Sequence, residues 1–133
     1  MVNFVASIEA KADPVMDFVC CLLNSVTTAH ILHLSSRSYS QHKALQKFYE
    51  NIGDRADDFI EAFQGKYGLL TKYPATADLF ADQDPIVYLT YVSDNVATLR
   101  KANGFPQDSE LQNITDEIVQ LIDSTLYRLK YLA

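Results

Sequence analysis

The chain has 133 residues, 48% of them apolar and 21% charged, with a net charge of −6 and a pI near 4.8. That length carries one hydrophobic core without disulfide or metal staples. The acidic balance argues against nucleic-acid binding driven by charge, and Lys11 is the one basic residue among the first thirty-six.

Residues 1–12 show little pattern and read as an arm or a frayed turn ahead of a single domain. Asp13-Pro14 then gives a helix cap followed by proline at the first helical position. Val15, Phe18, Val19, Leu22, Leu23, Val26, Ala29, His30 and His33 recur at three- and four-residue steps and predict an amphipathic helix over 13–34. Both histidines continue its apolar stripe. Cys20 and Cys21 are neighbours, so they point about 100° apart on a helix and do not bridge to each other. They read as buried free thiols of a reducing compartment. No stretch looks apolar enough for a membrane span, and no secretory signal is visible. The expectation is a cytoplasmic protein with no membrane or nucleic-acid partner.

After the SSRS break, Ser38 or Ser40 caps a second helix, expected over 39–65 with Leu45, Tyr49, Ile52, Ala56, Phe59, Ile60 and Phe63 as its stripe. Gly65 and Gly68 end it. Residues 69–83 form a connection longer than most bundle loops, expected to span the bundle or reach an interface. Asp84-Pro85 repeats the cap-plus-proline signal. Ile86, Leu89, Val92, Val96 and Leu99 give a third helix over 85–102, closed by Asn103-Gly104 and Pro106. Asp108 or Ser109 caps a fourth, with Leu111, Ile114, Ile118, Leu121, Ile122, Thr125, Leu129 and Leu132 as its stripe. Four helices and no comparable strand signal predict an all-α antiparallel four-helix bundle.

The chemistry-bearing pattern lies in the first two helices. His30 and His42 are twelve residues apart, Asp57 follows His42 by fifteen, and Glu61 follows Asp57 by four. An Asp and a Glu four apart share a helix face, and two imidazoles with two carboxylates suit iron, zinc or manganese. His33, one turn from His30, is a substitute ligand. The alternative is ordinary: histidines hydrogen-bonded in a core or interface, and carboxylates solvated on a surface. No glycine-rich phosphate loop is present, and Cys20 has neither a paired acid nor a second cysteine pair to make it a nucleophile or a zinc knuckle.

A histidine near the end of the first helix, another early in the second and an Asp-x-x-x-Glu beyond it resemble the Dps-like branch of the ferritin-like superfamily. The later stretch PQDSELQNITDEIVQLIDSTLYRLKYL is similar to small phage-encoded members. The resemblance runs from residue 13 onward as a match of length and pattern. It implies His30 and His42 as imidazole ligands from one subunit and Asp57 and Glu61 as carboxylate ligands from its two-fold partner. It implies a homo-oligomer, a dimer at least and up to a dodecamer. The activity implied is that of a ferroxidase, oxidising ferrous iron with peroxide or dioxygen and protecting against oxidative damage.

The sequence departs from that pattern in three places. Ile31 follows His30 where the family has tryptophan, Gln46 stands where it often has an acid, and the basic N-terminal tail is missing. Two further readings therefore stay open. One is a catalytically inactive bundle that binds another protein, such as a phage protein engaging a host factor. The other is an oligomer in which zinc only joins subunits.

Overall fold

The computed structural model describes residues 13–133, so the expected N-terminal arm lies outside the described residues. The fold is a four-helix bundle: α1 is Pro14–Ser35, α2 Tyr39–Tyr67, α3 Pro85–Leu99 and α4 Ser109–Tyr131. There is no strand among the described residues.

Local chemistry sets most of the ends. The Asp13 carboxylate accepts from the Val15 and Met16 amides at 3.0 and 3.1 Å, and Asp84 accepts from Ile86 and Val87 at 2.9 and 3.2 Å. Each satisfies amides that the first helical turn leaves without partners. Ser38 caps α2 through the Gln41 amide. α2 runs two residues beyond the expected end and stops at Gly68, whose φ of 97° is open to glycine at little cost. α3 stops at Leu99, three residues early, and the chain turns through 100–105 instead. In that turn Gly104 also takes a φ of 97°, and a Cβ there would stand 3.5 Å from the Pro14 ring. The connection 69–83 contains no helix; its regular structure is one turn near Asp82.

Asp108 precedes α4 but makes no side-chain capping bond. Its carboxylate instead accepts from the Lys66 ammonium and, at 2.6 Å, from the Tyr67 hydroxyl, clasping the end of α2 to the start of α4. These hydrogen bonds, Lys66 first and Tyr67 second, hold the Asp108 carboxyl below the usual carboxylate range. A depressed folded-state pKa gives stability that is full above the unfolded-state value and lost as pH falls through the folded one. Asp108→Asn should therefore flatten the acid limb of a plot of melting temperature against pH. The clasp is exposed, so the change near neutral pH should be small.

α1 packs on α2 and α3, and α4 packs on the same two, leaving α1/α4 and α2/α3 as diagonal pairs. Contacts fix the directions. His33 meets His42 at one end of the bundle, while at the other Phe18 meets Phe59 with ring centroids 4.7 Å apart. Thr28 hydrogen-bonds with Tyr88, and Asn95 reaches Cys21 at 3.8 Å, so α3 runs against α1. Arg100 binds Gln112 at 2.8 Å across the start of α4, so α4 runs against α3. Every neighbouring pair is thus antiparallel, and the segment between Tyr67 and Pro85 crosses from one end to the other between diagonal helices. The Thr28 hydroxyl pins it by donating to the Leu79 carbonyl. Phe80, next in the chain, has a φ of 50°, strained for a side chain of its size, and packs 5.1 Å from Tyr91.

The core takes Val15, Phe18, Val19 and Leu22 from α1, and Leu45, Ile52, Ala56 and Phe59 from α2. α3 supplies Leu89, Val92 and Val96, and α4 supplies Leu111, Ile118 and Ile122. The expected stripes omit two buried aromatics, Phe48 and Tyr88. Burial pushes the Tyr88 phenol well above its usual pKa, an effect only partly offset by its Thr28 hydrogen bond. Contrary to the sequence expectation, α1 is long and apolar enough, by length and composition, to cross a membrane. In the bundle its buried side chains, among them Phe18, Val19 and Leu22, are shared between the α2 and α3 contacts, while Leu23 and Leu34 stay exposed.

Candidate metal centre

The short Ser36–Ser38 link turns the chain so that the last turn of α1 faces the first turns of α2. There His33 and His42 bind each other's backbone. His33 Nδ1 lies 2.7 Å from the His42 carbonyl oxygen, and His42 Nδ1 lies 3.0 Å from the His33 carbonyl oxygen. A carbonyl only accepts, so in both rings Nδ1 carries the proton and donates it. The Nε2 lone pair of each neutral ring is thereby left as the acceptor. An imidazole anchored through one nitrogen to a backbone carbonyl, with the other nitrogen free, is the usual arrangement of a metal-binding histidine. The two rings stack with centroids 3.6 Å apart. His33 is buried and His42 half-buried.

His30 is placed differently from the expectation that it continues the buried stripe. It is exposed, lies flat on the half-buried Tyr49 ring at 4.4 Å, and stands 6.0 Å from His33. The first candidate ligand on α1 is therefore flanking, and the substitute, His33, is the one set beside His42. The physical reason is rotational: His33 falls under the α1–α2 contact, while a residue three positions earlier lies 60° round the helix at its outer edge.

Asp57 and Glu61 are exposed on α2, and among the described residues neither forms an ion pair. At 1.5 Å per residue, Asp57 lies about 22 Å along the helix from His42. Within one chain the histidines and acids therefore do not meet, and no three His, Cys, Asp or Glu side chains among the described residues converge on a metal position. The expected arrangement needs a second copy to complete it. On α2, His42, Gln46, Tyr49, Gly53 and Asp57 succeed one another at three- and four-residue steps, so one strip carries histidine at one end and carboxylate at the other. The reciprocal histidine clasp was not legible in the sequence; the only signal was His33's place on the α1 stripe.

A family model described as a family of unknown function, DUF5856, matches residues 33–129. That is more than half of the chain. The protein belongs to this family. The matched DUF5856 stretch takes in His33, His42, Asp57 and Glu61, and His30 lies before it. No curated protein and no solved structure matches the chain.

Proposed function

We propose that this protein is a Dps-like iron-handling bundle that oxidises ferrous iron with peroxide or dioxygen at a site shared between two copies. The observation that carries this reading is the His33–His42 pair, whose Nδ1 protons are committed to carbonyls and whose Nε2 lone pairs are free. The donor set fits the substrate: two neutral imidazoles and two carboxylates suit ferrous iron, with zinc or manganese as competitors. Two features of the fold support it. A four-helix bundle with one long crossover is the arrangement of ferritin-like folds. The α2 helix is also polarised, with His42, Lys43 and Lys47 beside the single acid Glu50 in its first half, and Asp54, Asp57, Asp58 and Glu61 outnumbering Arg55 and Lys66 in its second.

Two copies packed antiparallel along α2, with the axis between Tyr49 and Glu50, would set His42 opposite Asp57 of the partner subunit. Such an isologous contact repeats itself and makes two identical sites. It also meets basic with acidic half-helices, which favours that register over the parallel one. In this assembly His33 and His42 hold the ferrous ion through nitrogen, and Asp57 and Glu61 balance its charge. Two ferrous ions supply the two electrons that reduce one peroxide to water, with protons taken from solvent.

The test is metal content of protein purified without added metal, followed by anaerobic loading with ferrous iron and addition of peroxide. Binding at about one or two ions per chain with rapid oxidation is the expected result. No binding would sink the proposal. A second reading rests on Gln46, which sits on the metal strip where the resemblance expects an acid. On that reading the bundle keeps its paired face but serves as a protein-binding module for a basic partner such as a host factor, and stoichiometric capture of that partner without iron oxidation is its signature.

A further inference from the structure

The charge of this acidic chain is unevenly placed. From Phe18 to Tyr49, and again from Ser124 to Ala133, there is no Asp or Glu, while Arg37, Lys43, Lys47, Arg128 and Lys130 all fall in those two stretches. The fold brings the stretches together. α2 packs on both α1 and α4, and Arg55 meets Glu117 at 3.9 Å, which sets the register of the antiparallel α2–α4 pair. Counted in opposite directions from that contact, His42 and Lys130 stand at the same level. The His33–His42 clasp ties the end of α1 to that level as well. One end of the bundle is therefore basic across three adjacent helices. The α3 side is the exception, because Asp82 and Asp84 precede that helix, diagonal to α2.

The same end exposes large apolar side chains. Leu34 is 68% exposed, Tyr39 75%, Tyr131 73% and Leu132 51%, each at a helix terminus. The Lys43 ammonium stands 5.7 Å over the Tyr39 ring, and Tyr127 lies 6.0 Å from Tyr131. Among the described residues none of the five cations forms an ion pair. Helix stability does not account for them all. Arg128 and Lys130 complement the C-terminal dipole of α4, but Arg37 and Lys43 flank the start of α2, where a cation is unfavourable. Leucine and tyrosine interleaved with lysine and arginine suit an anionic lipid interface. Aromatic rings rest among headgroups, aliphatic tips reach the acyl boundary, and the cations meet lipid phosphates. Exposed leucines add nothing to the recognition of phosphate and base, which sets a nucleic acid behind a lipid surface.

We propose that this end of the bundle docks on an anionic lipid surface, with α1, α2 and α4 meeting it end-on. The net charge of −6 does not prevent the contact. Along their helices the nearest acids behind Lys43 and Lys130 are Glu50 and Asp123. Each stands about 10 Å back, beyond the Debye length of about 8 Å at physiological salt. The contact is peripheral, and α1 keeps its place in the core.

The experiment is flotation of the full chain with vesicles of equal parts phosphatidylcholine and phosphatidylglycerol, compared with vesicles of phosphatidylcholine alone. The chain is expected to float with the first and not with the second, and added salt should release it. Lys130→Gln should weaken binding about fivefold. Lys101→Gln makes the same charge change at the opposite end and should leave binding unchanged. Tyr131→Ser should weaken it as well. All three positions are exposed, so the variants fold. Equal losses in Lys130→Gln and Lys101→Gln would overturn the assignment, as would no flotation with the anionic vesicles or equal flotation with the neutral ones. Retention on polyglutamate or on single-stranded DNA without flotation would also overturn it, and would assign this end to an acidic protein or a nucleic acid.

Discussion

Chains carrying His42→Ala and chains carrying Asp57→Ala are each expected to oxidise ferrous iron no faster than the uncatalysed background. Mixing the two, with subunit exchange, is expected to restore part of the activity. The reasoning is geometric. The two side chains lie about 22 Å apart on one rigid helix, so they serve one metal only across a two-fold axis. A mixed dimer then has one site with both residues intact and one site with neither. A stopped-flow measurement of ferrous oxidation before and after mixing distinguishes the outcomes. Loss in both variants without recovery on mixing would show that the residues matter but do not complete each other. Full activity in either variant alone would remove that residue from the site.

Phe59→Ala is expected to destabilise the bundle by about 3–5 kcal/mol, the range for deleting a fully buried phenylalanine. Phe59 is inaccessible to solvent and sits in a three-ring cluster with Phe18 at 4.7 Å and Phe105 at 5.6 Å, while Phe18 meets Phe105 edge-on at 5.1 Å. The rings come from α1, α2 and the α3–α4 turn, so one deletion loosens three elements at once. The backbone around them is fixed by the Asp108 clasp and by Gly104 against Pro14, which restrains collapse into the space left behind. Urea denaturation gives the measurement: the midpoint should fall with little change in slope. A loss below about 1 kcal/mol would mean that the rings repack, against the cavity cost usual in close-packed cores. Phe63, half-buried at the edge of the same cluster, should tolerate alanine better.

The elements were legible because their ends are chemically marked. Asp13-Pro14 and Asp84-Pro85 state a cap and a first helical residue in two letters, and both carboxylates bond to the expected amides. Core membership was less legible where a helix has two neighbours. α2 is covered by both α1 and α4, so its buried face is wider than a single stripe and includes Phe48. α3 ends three residues before the expected position, whereas α4 starts where expected, after Asp108, though without a side-chain cap bond. Asp108 has the sequence of a capping residue, but Lys66, forty-two positions earlier, claims its carboxylate. At the candidate site, sequence spacing brought out residue types without their partners. It could not choose between His30 and His33, because that choice depends on how α1 is rotated against α2. Nor could it show which ring nitrogens are occupied by the backbone.

The crossover between Tyr67 and Pro85 gives the molecule an unusual tolerance. α1–α2 and α3–α4 are each hairpins whose residues meet over short stretches of chain, and the segment joining the hairpins is anchored chiefly at Leu79 and Phe80. Its middle, from Lys72 to Asp78, lies exposed along the bundle wall. The entropy of closing such a loop rises only logarithmically, by roughly 0.6 kcal/mol for each doubling of length. This is where the chain can accept inserted sequence, even a whole appended module, while the two hairpins go on recognising each other.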